Sequence, residues 1–232
     1  MTVKRLRAKE VRKEGKRSSK LLIGAAIATI IVLVLGFLLG NQIATSRIEQ
    51  FQDFEEMLLV QLIALDFREN MIDNLDVCNL EWKDIWETKL ELGNQLTALE
   101  RRLGKDNDKL KTKKEIYELI EIKTINILEK IRENCYEDFH IILLFYTNEK
   151  NDPLGSVAGS EDQGLILDQV YNDHNKRNIG SNVYIFVFNI NSKNAATRAL
   201  IQQYGIDHVP SIVIDGKKYD YSTKEQIEEY LS

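Results

Sequence analysis

Hydrophobic and polar positions divide the chain into three regimes. The first is LLIGAAIATIIVLVLGFLLG, residues 21–40, a run without a single charge. As a helix rising 1.5 Å per residue it spans about 30 Å, the hydrocarbon thickness of a bilayer. Soluble helices keep a polar face over so many turns, and this run has none. It exceeds a signal-peptide core, and no Ala-x-Ala cleavage signal follows it. The pattern predicts a membrane-spanning helix over 21–40.

The second regime is helical. Residues 43–135 lack proline and hold two glycines, Gly93 and Gly104. Phe51, Phe54, Leu58, Leu62 and Leu65 recur at helical spacing. So do Trp82, Trp86, Leu90, Leu96, Leu99 and Leu103, and then Leu110, Tyr117, Ile120, Leu128 and Ile131. Spacings of three and four residues put each set on one helix face. GKDND, residues 104–108, breaks the pattern with turn residues. Two antiparallel helices are predicted, over 79–103 and 109–134, within a helical stalk of 41–136. The stripes suit self-association through a coiled coil, although clean heptads are not sustained.

In the third regime, 137–232, the period shortens. HIILLFYT (140–147), NVYIFVFNI (182–190) and SIVI (211–214) read as buried strands. KKYDY (217–221) follows SIVI across Asp215-Gly216, a strong hairpin signal. Helices are predicted over 161–175, 195–205 and 223–231. The last has Thr223 as N-cap and Gln226 at N3, and SEDQ gives Ser160 the same capping-box role. The order strand, helix, strand, helix, strand, strand, helix implies a right-handed βαβ unit and a hairpin on one sheet.

On Tyr204-Gly205-Ile206, Val209-Pro210-Ser211 and Asp215-Gly216-Lys217, residues 137–232 resemble thioredoxin-like domains, in particular membrane-anchored thioredoxin-fold proteins of archaeal type. The fold class so implied is an α/β thioredoxin-like C-terminal domain behind a transmembrane helix and a helical hairpin or coiled-coil stalk. The resemblance implies that Pro210 is the family's cis-proline, which faces the redox cysteines. Gln163-Gly164 match the pair that follows the family's Cys-x-x-Cys. That sets Val157-Ala158-Gly159-Ser160 on the motif. Neither Val157 nor Ser160 performs thiol–disulfide exchange.

Charge sharpens the placement. The net charge of −5 hides a basic tail, 1–20, with nine Lys/Arg and two Glu. By the positive-inside rule this tail stays cytoplasmic and contacts anionic lipid, leaving residues 41–232 outside the cell membrane. An acidic ectodomain argues against nucleic acid as a partner.

The chain has two cysteines, Cys78 and Cys135, and they flank the predicted hairpin turn almost symmetrically. Antiparallel helices bring such positions opposite each other, within disulfide reach. An oxidising compartment preserves the bond. A structural disulfide is the expectation, and a redox-active pair the alternative.

Chemistry is otherwise sparse. His140, His174 and His208 have no metal-ligand spacing, so no metal and no cofactor are expected. Ser160 would need a general base for nucleophilic chemistry, and His208 is the nearest candidate in the fold. The functional expectation is a redox-inactive module that binds an extracytoplasmic protein or peptide. Its face would comprise Val157, Ser160, His208, Val209 and Pro210, where a strip of backbone is suited to strand pairing. The alternatives are an oxidoreductase using Cys78 and Cys135, and a self-associating structural protein.

Overall fold

A computed structural model describes residues 29–38, 52–71, 78, 82–104, 107–135, 137–177 and 180–232. Residues 1–54 and 55–232 form two units.

In the first unit, helix α1 covers residues 29–38. Such a helix rises about 15 Å, half the hydrocarbon core of a bilayer. Among the described residues, no helix is long and apolar enough to cross a membrane. This overturns the expected span over 21–40. The cell-membrane placement, with a cytoplasmic tail and an extracytoplasmic remainder, falls with it. Residues 1–28 and 39–51 lie outside the described residues.

The remaining elements are helix α2 (52–71), α3 (Trp82–Leu103), α4 (Asp108–Cys135), β1 (Phe139–Tyr146), α5 (Val157–Tyr171), β2 (Asn182–Asn189), α6 (Ala195–Gln203), β3 (Ser211–Ile214), β4 (Lys217–Tyr219) and α7 (Lys224–Tyr230). A π-helical turn, Asn172–Lys176, extends α5. The sheet order is β2-β1-β3-β4. β1 pairs parallel with β2 and antiparallel with β3, and β4 closes an antiparallel hairpin on β3. Asp215 (φ 48°) and Gly216 (φ 85°) supply the left-handed conformations that the tight turn requires.

Alternation along β2 explains how two layers form. Val183 and Ile185 face one side with Ile142, Leu144, Ile212 and Ile214, under Leu167 and Val170 of α5 and Ile227 of α7. Tyr184 and Phe186 face the other side, where Trp86 of α3 meets them edge-on at centroid distances of 4.7 and 5.6 Å. Both sheet faces therefore bury apolar side chains. The α3–α4 hairpin is a packing layer of this unit rather than a stalk held away from the sheet. A thioredoxin-like domain hung behind a membrane helix and a coiled-coil stalk is thus not the architecture of the described residues, which form seven helices and a four-stranded mixed sheet.

α5 begins one turn earlier than the sequence reading. Ser156, not Ser160, is its N-cap, accepting from the Gly159 N–H at 3.1 Å. The capping box on α7 is present as read, with Thr223 and Gln226 satisfying each other's backbone N–H groups.

Candidate functional site

The peptide bond Val209–Pro210 is cis and lies immediately before β3. The backbone beside it is already paired. Val209 N–H donates to Leu154 O at 2.8 Å, and Gly155 and Val209 form an isolated parallel bridge. A Cβ on Gly155 would stand 1.9 Å from Val209 O, so only glycine allows this approach.

The segment 147–155 that delivers Gly155 is stapled by Asp152. Its carboxylate accepts from Thr147 Oγ1 at 2.6 Å, Asn191 Nδ2 at 2.7 Å and Leu154 N–H at 2.9 Å. The same hydrogen bonds hold the Asp152 carboxyl below its ordinary range. The long connection is an ordered strap, and it occupies the strip that the sequence reading left open.

The other expected face residues separate. Ser160 is buried, and its Oγ accepts from Thr147 N–H at 3.2 Å. Val157 opens α5 and is half-buried. His208 is held between carboxylates, with Nδ1 at 2.8 Å from Asp207 and Nε2 at 2.8 Å from Asp220. Lys218 and His208 together pull the Asp207 carboxyl down to about 2. Both His208 nitrogens are engaged by acids and the Ser160 hydroxyl by backbone, so no serine–histidine pair is assembled. Among the described residues, no group of three or more His, Cys, Asp or Glu is arranged to hold a metal.

Cys78 and Cys135 are joined by a disulfide with Cα atoms 5.4 Å apart. Cys135 ends α4, just before Phe139 begins β1, whereas Pro210 precedes Ser211, the partner of Phe145 near the far end of that strand. At 3.3 Å per residue the run from Phe139 to Phe145 is about 20 Å. The disulfide therefore sits at the opposite end of the sheet from the cis-proline.

A second feature was missed in the sequence. Strand β2 is a sheet edge, and two buried side chains cap it. Lys89 Nζ donates to Ile185 O at 3.0 Å, and Glu121 Oε1 accepts from Val187 N–H at 3.4 Å. The two are joined at 2.9 Å, with side chains 6% and 1% exposed. Such capping protects an edge from pairing with other chains. Burial pushes the Glu121 carboxyl up, opposed by Lys89 and the Val187 N–H. One turn away Glu118 is also buried; its Oε2 accepts from Thr197 Oγ1 at 2.8 Å, and burial raises it too. Both glutamates line a cleft of about 1010 Å³ between the hairpin and the ends of β1 and β2.

The signal for the ion pair was present. Lys89 falls on the stripe of Trp82, Trp86 and Leu96, and Glu121 on that of Tyr117, Leu128 and Ile131, at spacings of three, four and seven. A charge on an apolar stripe asks for a buried partner.

No family model matches this chain, and no curated protein or solved structure does. The resemblance to thioredoxin-like domains gains no support from these comparisons.

Proposed function

We propose that this chain is a polypeptide-binding module without redox chemistry, and that its docking edge is the backbone beside Pro210. One observation carries the reading. That edge already holds an extended segment, Leu154–Gly155, through the Val209 N–H and a parallel bridge. An edge that accepts one extended segment has the donor and, for a segment with glycine at that register, the clearance to accept another. The strap acts as a resident occupant that a partner segment replaces. The absence of thiols at Val157 and Ser160, and the remoteness of the Cys78–Cys135 bond from Pro210, support a reading without exchange chemistry.

The chain supplies its own probe. In a variant whose residues 151–155 are replaced by an equally long Gly/Ser stretch, the edge is released. A synthetic peptide of residues 150–156, KNDPLGS, should bind that variant and shift the Val209 amide resonance. Wild-type protein should bind it at least about tenfold more weakly, because its own strap competes. An unmoved Val209 amide in the folded variant contradicts the proposal.

A second reading rests on a separate face. Val60, Ile63 and Phe67 of α2 are 66%, 69% and 64% exposed and spaced three and four residues apart. An apolar stripe of this kind favours pairing with a second copy. Sedimentation should then show dimers that Ile63→Glu dissociates, while a monomer at all concentrations removes this reading.

A further inference from the structure

The cleft holds an atom that edge capping leaves unexplained. Capping accounts for Lys89 and for Glu121 Oε1. Glu121 Oε2 is buried and, among the described residues, has no hydrogen-bond partner. A carboxylate oxygen withdrawn from water without a donor costs free energy. Glu118 and Glu121 line the same side of the cleft.

Beside the cleft lies a smaller groove of about 440 Å³, floored by Leu144, Leu167 and Ile185 and walled by Leu165. The two cavities share Asp168 and Val187 in their linings, so they adjoin there as one composite channel. Leu165 is 62% exposed and Val187 39% exposed, so apolar surface stands open along it. Among the described residues no hydrogen bond ends on the Asp168 carboxylate, and Lys176 acts on it only through charge attraction. The channel therefore joins an apolar wall to two buried carboxylates, Glu118 and Glu121, and to the exposed Asp168.

We propose that this channel binds a primary ammonium group on an apolar stem, with the stem along Leu165 and Val187 and the ammonium between Asp168 and the Glu118–Glu121 end. An ammonium offers three donors and a positive charge, which is what the unpartnered oxygen lacks. The apolar groove supplies the area that a methylene stem buries. A lysine side chain of a polypeptide and a free alkylamine share this chemistry. The site is distinct from the Pro210 edge, and its test reads different resonances.

The test is a titration of the full chain, followed through the Leu165 and Val187 methyl resonances. Three probes are used: n-butylammonium, n-butanol and acetyl-Lys-Leu-amide. Saturable shifts are expected with n-butylammonium, and n-butanol should be at least about tenfold weaker, as a charge-assisted hydrogen bond predicts. Tighter binding of acetyl-Lys-Leu-amide points to a polypeptide source, and tighter binding of the free amine to a small metabolite. Asp168→Asn, whose carboxylate supports no hydrogen bond in the fold, should weaken n-butylammonium about tenfold and leave n-butanol unchanged. Glu121→Gln should weaken it as well if the variant folds; the Asp168 variant decides the matter either way. Equal affinity for butanol and butylammonium, an unaffected Asp168→Asn, or no saturable shift overturns the proposal.

Discussion

Replacing Lys89 by methionine tests the edge-capping account. Methionine keeps most of the stem beside Trp86 and Phe186, whose rings lie 4.9 and 4.7 Å from Nζ. It removes the charge that faces Glu121 at 2.9 Å and the donor to Ile185 O. Breaking one side of a buried pair typically costs about 3 to 5 kcal/mol, since the other charge stays buried without compensation. Urea unfolding of the full chain, followed by tryptophan fluorescence, measures the loss. Adding Glu121→Leu should recover much of it, leaving mainly the cost of two edge groups, Ile185 O and Val187 N–H. The pH dependence has a definite sign. Burial raises the folded Glu121 carboxyl above its ordinary 4.5. Between 4.5 and that raised value the folded state binds more protons than the unfolded one, so stability falls as pH rises through this window. Losing Lys89 removes an opposing influence and widens the window. The variant should therefore be penalised more at pH 7 than at pH 5. A loss below about 1 kcal/mol, or one independent of pH, refutes the reasoning.

Other consequences follow from single contacts. Replacing both Cys78 and Cys135 by serine opens a loop with a sequence separation of 57 and should lower stability by roughly 2 to 4 kcal/mol without changing KNDPLGS binding at the Pro210 edge of the strap-released variant, as calorimetry of both forms would show. Gly155→Val places a side chain against Val209 O, where a Cβ would stand at 1.9 Å; it should detach the strap, raise proteolysis within 148–155 and leave core amide protection in place. Asp215 is pushed up by burial, but hydrogen bonds from His140 and the Ile141 N–H, with the charge of Arg132, bring it below its ordinary value. Its contribution is therefore present above about pH 4 and lost as pH falls further, so Asp215→Asn, which keeps the left-handed turn, should flatten the acid limb of a stability–pH curve.

Much of the unit 55–232 was legible because periodicity reports directly on packing. The strands β1, β2 and β3 appear as short apolar runs, since both faces of the sheet are covered. The disulfide could be anticipated from chain symmetry about the turn after α3, without any compartment argument. The expected membrane span over 21–40 is not met among the described residues, where the helix covers 29–38; an uncharged run does not by itself set the length of a helix. The start of α5 was misplaced because two serines compete for its N-cap, and a buried acceptor for Thr147 N–H claimed Ser160. The strap was invisible for a different reason. One backbone hydrogen bond and the lack of a Cβ at Gly155 decide it, and neither has a sequence period. Gly93 is a partial parallel: it reads as a flaw in a helical stripe, yet a Cβ there would lie 2.5 Å from the Tyr117 hydroxyl.

The central claim is that Leu154–Gly155 is a replaceable occupant of the Pro210 edge. Native-state hydrogen exchange at the Val209 amide tests it most directly. Leu154 O protects this N–H at 2.8 Å, so exchange should be slower than in an unfolded chain. A replaceable strap opens locally, so the Val209 amide should exchange with a free energy well below that of the central strand amides of Leu143 and Val213. It should also lose protection selectively in Gly155→Val. Exchange of Val209 only through global unfolding, together with Leu143 and Val213, would make the strap an integral part of the core and contradict the account.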